Sequence, residues 1–92
     1  VDGIGAPFLL PAMWPLVERL ISQAIAVPVA EIARSVRLLV ERAHVVAEGA
    51  GAASVAAALS GEAPGQKLVC VVSGGNIDAP KLAKILSGDI PG

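Results

Sequence analysis

The chain has 92 residues, the size of one small domain or of a piece of a larger one. Apolar residues make up 54% of it and charged residues 16%, and Lys plus Arg at 7 against Asp plus Glu at 8 leaves a formal net charge of −1. Disorder is excluded, because it needs low hydrophobicity and high net charge, and a nucleic-acid role has neither a basic excess nor stacking surface behind it, with one Phe, one Trp and no Tyr.

Val1 to Pro7 carries Gly3, Gly5 and Pro7 and reads as loop. A helix is predicted from about Leu10 to Ser22, with Leu16, Val17, Leu20 and Ile21 as its apolar stripe and Glu18 and Arg19 on the other face. Pro11 and Pro15 fit only a first turn or a kink, so the regular helix should start near Met13 to Pro15. Ala24 to Val27 is a short β-prone run, and Pro28 ends it or places it at an edge. Val29 to Ala43 is the clearest helix, with Ile32, Val36, Leu39, Val40 and Ala43 at helical spacing. Glu31 with Arg34 and Arg37 with Glu41 are ordinary solvated pairs on its surface, each contributing a few tenths of a kcal/mol.

Glu48 to Leu59 reads as a third helix built from Ala, Gly and Ser, its glutamate in the first turn where the helix dipole favours acid. Gly61, Pro64 and Gly65 punctuate a loop over Ser60 to Gln66. Lys67 to Val72 is an apolar run of strand length, as expected for a strand covered on both faces. Ser73 to Asn76 is a Gly-rich turn; Asp78 then stands as an N-cap, Pro80 in the first turn, and Gly88 as the stop of a last helix. Helices alternating with runs 24–27 and 67–72 predict an α/β fold with a partial parallel sheet. Two strands are too few for a stable open sheet, and much of the apolarity is small (17 alanines), so part of the surface is expected to be covered by a larger body or by a second copy. Composition alone does not choose between these.

A lone cysteine, Cys70, in an apolar run points to a small core residue and a reducing cytoplasm. No apolar stretch reaches the ~18 residues of a membrane span, and the opening at Val1 has no signal-peptide pattern and reads like the middle of a protein. His44, the only histidine, follows a helix end and lacks partners for a catalytic triad or a metal cluster, so no metal is expected. Trp14, between prolines, is expected to pack as an anchor, and the Ala/Gly face of 49–58 is a close-packing surface. Lys67, Lys81 and Lys84, the only lysines, read as solvated charges.

Chemistry concentrates at Ser73-Gly74-Gly75-Asn76, where an apolar run feeds a helix, since ligands of α/β folds gather at the carboxyl ends of strands. A tight connection alone would explain such a turn, but its two glycines would also let a ligand approach the backbone. Asp78 at the helix start disfavours an anion, whereas the Ser73 hydroxyl suits a hydrogen bond to a flat heterocycle.

EGAGAASVAAALSG (48–61) followed by KLVCVVSGGNID (67–78), with DGI at 2–4, Trp14-Pro15 and EIARSVRLLVERAHVVAEGAG (31–51) in order, resembles the C-terminal part of the catalytic domain of the pyridoxal-phosphate-dependent threonine dehydratases. Serine dehydratases and serine racemase are among the relatives. The resemblance covers nearly all of residues 1–92 and implies a single segment of a fold-type II, tryptophan synthase β-like enzyme whose upstream portion is absent. It implies that Ser73 meets the pyridine nitrogen of pyridoxal phosphate, that Gly74, Gly75 and Asn76 shape the loop under the ring, that Glu48 and Gly3 lie near the cofactor and that Asp2 lies on the substrate side. The family's cofactor-anchoring lysine, in an S-F-K-type context, and its glycine-rich phosphate tract do not occur here. No catalytic residue is therefore expected in this segment, and the 92 residues alone should be inactive. The expected partners are the rest of the catalytic domain, a small amino-acid substrate such as threonine or serine and a second subunit; neither nucleic acid nor membrane is expected. The rival reading is a free-standing, non-catalytic α/β module that binds a partner or self-associates through its apolar surface.

Overall fold

Prolines set where the first helix begins. In the computed structural model, which describes residues 11–90, Pro11–Met13 forms a 3₁₀ turn and helix α1 spans Trp14–Leu20 with Pro15 in its first turn. There the missing proline N–H has no helical partner to lose. The opening loop, with Asp2 and Gly3, lies outside the described residues. The apolar stripe forms, yet α1 buries no residue: Leu20 is 67% exposed and Trp14 55%. The expectation that Trp14 packs as an anchor is therefore corrected, because its ring stays mostly in solvent.

Helix α2 spans Val29–Leu38 and starts directly after Pro28, whose extended backbone (ψ 146°) stops any earlier helical turn. Its buried face is Ile32, Ala33, Ser35 and Val36. The buried Ser35 hydroxyl is satisfied by donating to the Glu31 carbonyl at 3.0 Å. A widened π turn, Leu39–Ala43, continues it and ends at His44 in the left-handed region (φ 57°), with the Val45 N–H donating to the Leu39 carbonyl at 3.0 Å. His44 is thus an exposed helix-terminating residue. The predicted pairs are present, Arg34 to Glu31 at 3.1 Å and Arg37 to Glu41 at 2.6 Å, both substantially solvated and therefore weak.

Helix α3 spans Gly49–Leu59 and presents Gly51, Ala52 and Ala56 inward. Small side chains let it pack closely on α2, which also contacts helix α4, Ala79–Leu86. The buried cluster is Ala33, Val36, Ala47, Ala52 and Ile85, with Leu39, Ile77 and Leu82 against it. Glu48, expected inside the first turn of α3, is instead its N-cap residue, extended at ψ 171°, and its carboxylate accepts no capping hydrogen bond. Asp78 holds the N-cap position of α4, also without a side-chain cap, and Pro80 follows in the first turn. Gly88 stops α4 as predicted: at φ 101° it lets its own N–H reach the Ile85 carbonyl (3.1 Å) and the Asp89 N–H reach that of Lys84 (2.9 Å). These are the paired bonds of a Schellman end.

The expected sheet is the principal correction. Among the described residues there is no strand; runs 24–27 and 67–72 form no ladder. No backbone N–H of either run finds a partner among them. Val69 is 95% exposed and Val71 72%, so the 67–72 run is not covered on both faces. The other face is covered only in part, with Leu68 44% and Val72 37% exposed. Cys70 is half-buried with its Sγ 3.6 Å from the Ser54 carbonyl, and the Ser54 hydroxyl donates to the Val71 carbonyl at 2.8 Å. The physical reason is that a ladder needs a partner backbone about 4.8 Å away in the hydrogen-bonding direction, and neither run is paired to one among the described residues.

Candidate functional site

The run leading into S-G-G-N travels antiparallel to α3. Residues 70 and 71 touch Ser54, residue 74 lies against Gly51 and Glu48, and residue 75 against Val46. The turn therefore arrives over the N-terminal end of α3, where helical N–H groups have no intrahelical acceptor. One of them is used at once: the Glu48 N–H donates to the Gly74 carbonyl at 2.9 Å. The Ile77 N–H closes the turn on the Gly75 carbonyl at 2.9 Å, and α4 begins two residues later.

Three glycines make this approach possible, and they do so toward the protein rather than toward a ligand. A β-carbon at Gly74 would collide with the Glu48 carboxylate, and one at Gly75 would lie 2.8 Å from the Val46 carbonyl oxygen. A β-carbon at Gly51 would meet the Gly74 main chain, 2.5 Å from its oxygen and 2.9 Å from its nitrogen. Val46 and Ser54 were not singled out in the sequence, and Gly51 entered it only as part of EGAGA and of the close-packing Ala/Gly face of 49–58. The signal for Gly51 was a glycine buried inside an alanine helix, where it costs roughly 1 kcal/mol relative to alanine and so needs a packing reason.

Of the residues predicted for the site, Glu48, Gly74 and Gly75 are brought into contact, and Ser73 and Asn76 flank them in the same turn. Ser73 and Asn76 are exposed, and neither side chain makes a hydrogen bond among the described residues. Asp2 and Gly3 lie outside the described residues. The arrangement offers an exposed hydroxyl with no hydrogen-bond partner among the described residues, on a turn of bare backbone; the Glu48 carboxylate lies against Gly74, Asp78 follows two residues after Asn76, and no cationic side chain stands within the turn itself. Among the described residues no three His, Cys, Asp or Glu side chains gather to hold a metal, and no helix is long and apolar enough to cross a membrane.

Residues 1–74 match the family described as "Pyridoxal-phosphate dependent enzyme". The chain is 40% identical over 87 residues to the L-threonine ammonia-lyase of Thermotoga maritima, covering 94% of this chain and 22% of that protein. It is 35% identical over 90 residues to the catabolic L-threonine dehydratase TdcB of Staphylococcus aureus (92% of this chain, 26% of that protein). The biosynthetic L-threonine dehydratase IlvA of Lactococcus lactis is 34% identical over 86 residues (91% and 21%). The chain thus spans about a fifth to a quarter of the length of these relatives. No solved structure matches it significantly. With the family's profile matched over residues 1–74 and the S-G-G-N turn seated on E-G-A-G-A, the chain belongs to the pyridoxal-phosphate-dependent enzymes.

Proposed function

We propose that these 92 residues are the C-terminal part of the catalytic domain of a threonine or serine ammonia-lyase, which converts a hydroxy amino acid to a 2-oxo acid by β-elimination. In this reading Ser73 holds the ring nitrogen of pyridoxal phosphate. The observation that carries it is the seat of S-G-G-N on the start of α3, which leaves the Ser73 hydroxyl outward and free. A pyridine nitrogen needs one donor at one point, and the Ser73 hydroxyl can supply it. The cofactor's phosphate does not suit the turn, because the Glu48 carboxylate lies against Gly74 and Asp78 follows two residues after Asn76, and like charges repel. The phosphate contacts and the anchoring lysine therefore belong to residues outside this chain.

When bound, the cofactor withdraws electrons from the substrate's Cα. Ser73 donates a neutral hydroxyl hydrogen bond, which does not require the ring nitrogen to be protonated; a carboxylate at that place would favour its protonated form. The weaker withdrawal suits an elimination in which the hydroxyl leaves as the α-proton departs. Gly74 and Gly75 hold Ser73 through their main chain, the Glu48 carboxylate lies behind Gly74, and Asn76 continues the loop into α4. Asp2 and Gly3 take the cofactor and substrate side.

The rest of the domain would supply what the unpaired runs lack. A groove of about 420 Å³ lined by Gln23, Ile25, Val27, Ile32, Ala53, Ser54 and Ala57 borders the 24–27 run, whose backbone N–H groups have no partner among the described residues. Strands from the remaining catalytic domain fit that chemistry, and the exposed face of α1 suits either that domain or a second subunit. A reading frame that continues upstream of Val1 through a lysine in an S-F-K-type context and a glycine-rich tract supports this assignment; a start codon directly before Val1 refutes it.

The site is tested in the complete enzyme. Ser73→Ala removes one neutral hydrogen bond, about 0.5–1.5 kcal/mol, so cofactor affinity should fall modestly while binding persists. Ser73→Asp should increase exchange of the substrate α-proton with solvent relative to oxo-acid formation. If Ser73→Ala equals the parent in both affinity and rate, Ser73 is only a turn residue and the site reading fails.

A further inference from the structure

Gly51 stands in the first turn of α3, away from S-G-G-N in sequence, and is buried. Its missing β-carbon would lie 2.5, 2.9 and 3.4 Å from the oxygen, nitrogen and carbonyl carbon of Gly74. All three are main-chain atoms, so no rotamer change relieves the overlap. Gly74 has no simple retreat, because its carbonyl is tied to the Glu48 N–H at 2.9 Å and its neighbour Gly75 lies against the Val46 carbonyl. The contact at Gly74 itself differs in kind: a β-carbon there strikes only the mobile end of the Glu48 side chain.

We propose that Gly51 is a positioning residue for Ser73, the seat that sets how close to α3 the S-G-G-N turn rests and hence where the Ser73 hydroxyl stands. The proposal rests on the reading of Ser73 as the partner of the ring nitrogen. Relieving the Gly51 overlap to an ordinary contact of about 3.4 Å displaces Gly74 by roughly 0.9 Å, and Ser73, bonded to it, moves with it. A hydrogen bond lengthened by that much is no longer one. Helix propensity argues the opposite sign, since Gly→Ala inside a helix is ordinarily stabilising, so a glycine with no positioning role would give a better-formed α3 and an unaltered site.

Two measurements test it. In the 92-residue chain, Gly51→Ala should retain its helical circular dichroism while the Glu48 amide, deprived of the Gly74 carbonyl, exchanges with solvent at least tenfold faster. In the complete enzyme, the dissociation constant of pyridoxal phosphate is measured for Gly51→Ala, Ser73→Ala and the double variant. Each single change should weaken binding about 2- to 12-fold, the range of one neutral hydrogen bond, and the double variant should be no weaker than Ser73→Ala alone. Unchanged Glu48 exchange in Gly51→Ala overturns the seat. Losses that multiply in the double variant overturn the route through Ser73, leaving Gly51 a packing residue. An affinity untouched by Ser73→Ala, with Glu48 exchange still accelerated in Gly51→Ala, overturns the Ser73 reading and the functional half of the proposal while the seat itself stands.

Discussion

The two glycines of S-G-G-N should not respond alike to the same added methyl group. At Gly75 a β-carbon would stand 2.8 Å from the Val46 carbonyl oxygen, main chain against main chain, so the turn or the Val46 segment has to move. Overpacking of that kind costs about 1–3 kcal/mol. Neither glycine has a left-handed backbone, so each Gly→Ala change also gains about 0.4–1 kcal/mol by restricting the unfolded chain. The net expectation for Gly75→Ala is a loss of about 0.5–2 kcal/mol. At Gly74 the obstacle is the Glu48 carboxylate, which escapes by changing rotamer at a cost of about 0.5–1.5 kcal/mol, so Gly74→Ala should be close to neutral. Equilibrium urea unfolding of the chain, followed by far-UV circular dichroism, reads the difference. With an m-value of about 1 kcal/mol/M, expected for a small protein, the Gly75→Ala midpoint should lie on the order of 1 M below that of Gly74→Ala. Equal midpoints, or a lower one for Gly74→Ala, would refute the view that the turn is held by Val46 on one side and by a yielding carboxylate on the other.

Three further outcomes are expected. Val36 is fully buried at the centre of the α2–α3–α4 contact; Val36→Ala deletes two methyl groups at about 0.8 kcal/mol each plus a cavity term, so urea unfolding should show a loss of about 2 kcal/mol. His44 holds a left-handed conformation without being glycine, and His44→Gly should raise stability by up to about 1 kcal/mol by the same assay, whereas a structural role for the imidazole would lower it. Pyridoxal phosphate added to the 92-residue chain should give no stable protein-bound absorption band, and serine or threonine no 2-oxo acid; turnover by the chain alone would show that Lys67, Lys81 or Lys84 serves where an outside lysine is invoked.

Much of the helical layout was legible before any contact was known, because helix ends are local chemistry. Pro11 and Pro15 placed the start of α1, Pro28 that of α2, and Pro80 and Gly88 bracket α4. The Glu31–Arg34 and Arg37–Glu41 pairs followed from spacing alone. The kinship of EGAGA with SGGN was also readable as a pair of motifs, and matching of residues 1–74 to the family agrees with it. Glu48 shows how fine that legibility runs: acidity at the helix start was foreseen, its place one residue outside the first turn was not.

Tertiary structure decided the rest. Runs 24–27 and 67–72 have strand composition, but a strand is a relation between two backbones, and among the described residues neither run is hydrogen-bonded to a second one. Val69 and Val71 therefore stand in solvent despite a sequence that reads as buried. Trp14 stays exposed for the same reason, since amphipathicity determines which face of α1 is apolar but not whether anything lies against it. The purpose of the S-G-G-N glycines was left open: the sequence allowed either a tight connection or room for a ligand, and the fold uses them to bring the turn against Val46, Glu48 and Gly51. Local propensities act over a few residues of one chain segment, whereas sheet pairing and close approach are set by which distant segments meet, and that is determined only when the chain packs.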